Sequence, residues 1–74
     1  MIYPNPATEN VFVKSDYTIS NIEVLNYLGQ TVYTRQNVGN KTEKVNVASY
    51  PAGIYFVKVT TTEGAKTVKI TVTR

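Results

Sequence analysis

The chain is 74 residues long with a mass of 8.3 kDa, which is one small domain with no room for a second. It contains no Cys and no His, which excludes a disulfide framework, a thiolate or imidazole zinc site, a Ser/His/Asp triad and a histidine general base. The formal charge of +3 is spread along the chain, with Lys41/Lys44 and Lys66/Lys69 the nearest to clusters, and no basic block of the kind that binds nucleic acid. Folding a chain of this mass leaves ~4,600 Å² exposed and buries about 60% of the unfolded surface, near the lower limit for autonomous folding.

Val, Thr, Tyr, Ile and Phe account for 35 of the 74 residues, while Leu occurs only at Leu25 and Leu28, so the composition predicts strands and few helices. Two prolines flank an asparagine in Tyr3-Pro4-Asn5-Pro6-Ala7, giving an extended lead-in or edge segment with two backbone donors removed. A short strand over 11–14 and a turn at Ser15-Asp16-Tyr17 follow. A longer strand is predicted over 19–27, with Ile22 and Val24 on one face. It ends at Leu28-Gly29-Gln30, where Gly29 supplies the positive φ of a hairpin turn, and the returning strand covers 31–35. Asn37-Val38-Gly39-Asn40 reads as a second turn, after which Val45 and Val47 share one face of a strand over 43–47.

Tyr50-Pro51-Ala52-Gly53 stops that strand. The segment 54–61 carries apolar groups on both faces, Tyr55, Val57 and Val59 against Ile54 and Phe56, and is therefore expected to be central in its sheet. A turn at Thr62-Glu63-Gly64-Ala65 leads into a strand over 66–73, with Val68, Ile70 and Val72 inward and Lys69, Thr71 and Thr73 outward. About seven short strands with turn signals every ten residues or so predict an all-β antiparallel sandwich of the immunoglobulin-like kind.

The five acids, Glu9, Asp16, Glu23, Glu43 and Glu63, are scattered, and no pair has the spacing of an acid/base couple, so the domain is read as non-enzymatic and cofactor-free. The six tyrosines lie outside any basic stripe, which argues against a single-strand nucleic-acid platform. Asn40-Lys41-Thr42 fits a glycosylation acceptor, but the turn chemistry of Asn, Gly and Thr accounts for it. No apolar run is long enough to span a bilayer, and Met1-Ile2-Tyr3-Pro4 lacks the basic and apolar regions of a signal peptide.

Four segments in this order carry a family resemblance: Tyr3-Pro4-Asn5-Pro6-Ala7, Asn26-Tyr27-Leu28-Gly29-Gln30, Pro51-Ala52-Gly53-Ile54-Tyr55-Phe56-Val57-Lys58-Val59, and Lys66-Thr67-Val68-Lys69-Ile70-Thr71-Val72. Together they resemble the C-terminal sorting domain, type A, of the type IX (Por) secretion system of Bacteroidetes. The resemblance implies that residues 1–74 are a single domain ending a larger secreted cargo. By the same resemblance the cargo crosses the periplasm, and the outer-membrane translocation machinery then recognises the domain. A sortase-like peptidase removes the domain as cargo reaches the cell surface or the medium.

Lys66, Lys69, Ile70, Val72 and Arg74 fall in the stretch that the resemblance marks as most important for export, and they are the recognition candidates. Pro4, Asn5, Pro6, Gly29, Gly53, Tyr55, Val57 and Val59 carry the family motifs and are expected to be structural, the two glycines for their backbone freedom and Tyr55, Val57 and Val59 for the core. The competing reading is an adhesive or glycan-binding module presenting Tyr17, Tyr33 or Tyr50 as an aromatic platform. An open sheet edge also allows a homodimer, with the terminal hairpin as the first suspect.

Overall fold

The computed structural model describes all 74 residues and contains strands without helices. The strands are β1 (Ile2–Tyr3), β2 (Asn10–Asn26), β3 (Thr31–Asn46), β4 (Gly53–Thr61) and β5 (Gly64–Val72). All strand pairings are antiparallel: β1 pairs with β2, β2 with both β3 and β4, and β4 with β5. The all-β class stands, and the segment expected to be central, β4, does lie between two neighbours.

The strand count does not stand, since there are five strands and not about seven. The turns expected at Ser15-Asp16-Tyr17 and Asn37-Val38-Gly39-Asn40 lie inside β2 and β3 as breaks of register. Lys14 pairs with Thr42 and Ile19 with Asn40, so β2 advances five residues (19 − 14) while β3 advances two (42 − 40). The next pair is Asn21 with Gln36, where β3 advances four (40 − 36) and β2 two (21 − 19). Two bulges of opposite sense in adjacent strands bend the hairpin as a corner. Asn37 takes a left-handed conformation at φ 57°, and the Asn40 side-chain amide donates to the Val38 carbonyl.

One ion pair measures how sharp the corner is. Arg35 and Glu43 are eight residues apart, about 26 Å along a straight strand, yet Arg35 Nε lies 3.0 Å from Glu43 Oε2. The sheet therefore doubles over. Half of β2 and β3 forms one layer with β1, and the other half forms a second layer with β4 and β5. Val11, Val13, Val45 and Val47 of the first layer join Ile22, Val24, Val57, Val59, Ile70 and Val72 of the second in a single core of 14 buried residues. Val38, at the corner, is buried with them, and no polar side chain is. The exposed surface is 4651 Å², in line with the sequence-based expectation.

The outer faces carry the polar alternates and some apolar side chains. Ile54 is 41% exposed and sits on the solvent side of β4, whereas Ile22 is fully buried. Ile22→Ala is accordingly expected to lower unfolding free energy by about 2–5 kcal/mol, and Ile54→Ala by less than ~0.5 kcal/mol, as measured by urea denaturation.

Candidate functional site

The recognition candidates gather on the β4–β5 hairpin and around its outer edge. A two-residue loop at Thr62 and Glu63 joins these strands, with Thr61 paired to Gly64. The Thr61 hydroxyl accepts from the Glu63 N–H and donates to the Gly64 carbonyl. Val57 faces Val68 and Tyr55 faces Ile70 across the ladder, so the core row expected on each strand forms as one surface.

The five recognition candidates occupy different environments. Ile70 and Val72 are each 1% exposed within the core, so in the folded domain their side chains bear on recognition only by setting the position of β5. Lys66 and Lys69 are both exposed but face opposite ways, because Lys66 shares the inner face with Val68 while Lys69 lies on the outer face opposite Phe56. The guanidinium of Arg74 is engaged with main chain: it donates to the carbonyls of Thr8 (2.7 Å), Thr73 (3.0 Å), Val47 (2.6 Å) and Tyr50. A planar fork with five donors suits this set of carbonyls from three segments, which a lysine ammonium cannot span in the same way.

The lead-in does more than its sequence suggests. After β1 pairs with β2 in the first layer, Pro4, Asn5 and Pro6 carry the chain across to the second, where Ala7 bridges Val72 in parallel. The Asn5 side chain accepts from the Thr71 N–H at 3.0 Å and donates to the Lys69 carbonyl at 3.2 Å. Ala7 N–H donates to the Thr71 carbonyl and Thr73 N–H donates to Ala7. Asn5 thus imitates a strand residue on the edge of β5, and the flanking prolines place no unsatisfied N–H at the crossing. The alternation of polar and apolar residues could not reveal this role, since the side chain stands in for backbone.

The other motif residues occupy turns and the core. Gly29 has φ 83° in the β2–β3 hairpin, where Asn26 Oδ1 accepts from the N–H groups of Leu28 and Gln30. Gly53 has φ 154° at the start of β4. No neighbour crowds either position, so each glycine is needed for its dihedral angle rather than for space. Val57 and Val59 are buried, and so is Tyr55, whose hydroxyl donates to the Pro51 carbonyl at 2.6 Å.

The tyrosines proposed as an aromatic platform are not presented together. Tyr33 and Tyr50 pack against the core and only Tyr17 is exposed. The Tyr50 and Tyr55 rings stack at an angle with centroids 5.3 Å apart, and the Tyr50 hydroxyl is buried without a hydrogen-bond partner. Burial raises the Tyr50 pKa above 10.0, with smaller contributions from Tyr33 and Tyr55.

Beside the hairpin lies a cleft of ≈ 450 Å³ between the layers. Met1, Ile2, Val13 and Tyr17 line one side, and Val59, Lys66 and Val68 the other. No grouping of acids capable of holding a metal ion is present.

These features define a small all-β domain whose distinctive element is an incompletely covered terminal hairpin. The family model described as the secretion system C-terminal sorting domain matches residues 1–73, and the chain belongs to that family. No curated protein matches it significantly. The domain is a sorting signal of the type IX secretion system, a non-catalytic family; it interacts with that system's machinery and directs secretion to the cell surface or the medium.

Two outcomes follow from the contacts around β5. Arg74→Ala is expected to lower stability by about 1–3 kcal/mol and Arg74→Lys to recover only part of the loss, as measured by urea denaturation. Because the folded-state pKa of Tyr50 is raised, its stabilising contribution is complete below about pH 10 and lost as pH rises through the folded value. In Tyr50→Phe this loss should disappear, with little cost at neutral pH because the hydroxyl has no partner; thermal unfolding of both proteins on either side of that pH checks it.

Proposed function

We propose that the domain ends a larger secreted cargo and is read, folded, by the outer-membrane translocation components through its β4–β5 hairpin. Lys66 and Lys69 make side-chain contact with the machinery. Ile70 and Val72 hold β5 in place from inside the core, and Arg74 fastens the strand's end. The cargo crosses the periplasm before this step, and a sortase-like peptidase removes the domain afterwards. The observation that carries the reading is the position of β5, a sheet-edge strand with two exposed lysines and cover along only part of its length.

The physical logic is that of a folded address. A core of 14 buried hydrophobic residues fixes the hairpin in one register, so a partner meets a rigid edge and pays little ordering entropy. The lysines bring positive charge to an otherwise neutral strand and speed encounter with an acidic surface.

The test is export of a periplasm-targeted reporter fused to residues 1–74 in a Bacteroidetes host. The wild-type fusion should reach the surface or medium. A folded Lys66→Glu/Lys69→Glu variant should do so at least about tenfold less, the equivalent of ~1.4 kcal/mol of lost recognition. Equal export of both fusions would remove the lysines from the reading. Retention of the wild-type fusion beside a control cargo that is exported would remove the sorting role itself.

A further inference from the structure

The outer edge of β5 is divided between a covered and an open stretch. Main-chain groups at odd positions point outward, because the Lys69 carbonyl, both groups of Thr71 and the Thr73 N–H all bond to the lead-in. By the same alternation, both groups of Ala65, both groups of Thr67 and the N–H of Lys69 point outward, and none has a partner beyond the β4–β5 ladder. The lead-in leaves the edge at Asn5 because the chain there has come from the other layer, where β1 is paired with β2.

Burial of the inner face changes at the same place. Ile70 and Val72, behind the covered stretch, are 1% exposed, while Val68 is only half-buried and Lys66 is exposed. The cleft of ≈ 450 Å³ opens here, between β1 and the open part of β5. Unpaired edge groups and a partly apolar cleft beneath them mark the place of one absent strand. The open stretch, residues 65–69, spans about 13 Å.

Charge selects the occupant. Lys14 and Lys66 line the cleft with one acid, Asp16, and Lys69 stands on the outer face of the same edge. A second copy would carry its own net +3 to this site and place four lysines, two from each β5, in one short ladder. We infer that residues 65–69 of β5 take up an extended strand of a different polypeptide, with apolar side chains facing Val59 and Val68 in the cleft and carboxylates placed to meet Lys66 at the cleft and Lys69 on the outer face. The added strand satisfies the outward groups of Ala65, Thr67 and Lys69. Its apolar residues cover Val68 and Val59, as the lead-in covers the rest of β5. This deepens the sorting reading, on which the identity of the partner as a secretion component rests; the docking site itself stands on the edge and the cleft.

The test titrates the isotope-labelled 74-residue chain with a short peptide of alternating glutamate and valine and follows amide hydrogen exchange by NMR. Exchange at Thr67 and Lys69 is expected to slow by at least about tenfold, with little change at Val68 and Ile70, which already bond to β4. A lysine/valine peptide should not bind. Thr67→Pro, which removes one outward N–H, should abolish the protection at Lys69, and Lys66→Glu/Lys69→Glu should exchange the preference between the two peptides even if the proline variant fails to fold. No protection, protection elsewhere, or equal binding of the two peptides would overturn the proposal. So would protection without peptide that rises with protein concentration, which would assign the edge to a second copy. In the export assay, normal secretion of a folded Thr67→Pro fusion would overturn the edge as the route of recognition and leave the sorting role intact, whereas retention of the wild-type fusion is the failure of that role.

Discussion

The corner in the β2–β3 hairpin is the constraint on which the rest of the molecule depends. A chain without helices or disulfides has only its own sheet with which to cover the apolar face of that sheet. The paired bulges at 15–18 and 37–39 bend the longest two strands so that their halves face each other, and the Arg35–Glu43 pair spans the bend within β3. Without this bend Val11, Val13, Val45 and Val47 would lie in the same plane as Ile22 and Val24, all facing water. With it they form one core built mainly of valine, whose short branched side chain suits a pleated surface in a layer this thin.

The corner closes one side of the two layers, and the lead-in closes part of the other. Its path from β1 to the edge of β5 ties the start of the chain to its end, and Arg74 adds a third attachment at Val47 and Tyr50. Such long-range links are needed in a small domain where most of the ladder belongs to hairpins. They also decide what a partner can reach. The lower half of the β5 edge is occupied by Asn5 and Ala7, and the upper half is left with free backbone groups, a cleft and lysines.

Much of the fold was legible in the residues because the strand signal has a period of two. The rows Tyr55/Val57/Val59 and Val45/Val47 were readable from alternation and are buried as read. The hairpin turn at Gly29 followed from the same local chemistry. What alternation does not encode is whether polar residues such as Ser15, Asp16, Asn37 and Gly39 end a strand or bend one, since a bulge and a turn use the same residue types. That ambiguity produced the count of about seven strands. The candidate site was legible only in part for a related reason. Lys66 and Lys69 are both exposed, though on opposite faces of β5, while Asn5 and Arg74 act on backbone atoms distant in sequence, and no local pattern announces such partners.

The central claim, that secretion components read the folded domain at the open edge of β5, is tested most directly by site-specific photocrosslinking in exporting cells. A photoreactive residue at Thr67 and one at Thr34 are suitably matched, because both positions are exposed in the same layer but lie on strands at its opposite edges. The account predicts a covalent adduct between the cargo and an outer-membrane secretion component from position 67 and none from position 34. An adduct from 34 alone, or from both positions equally, would contradict it.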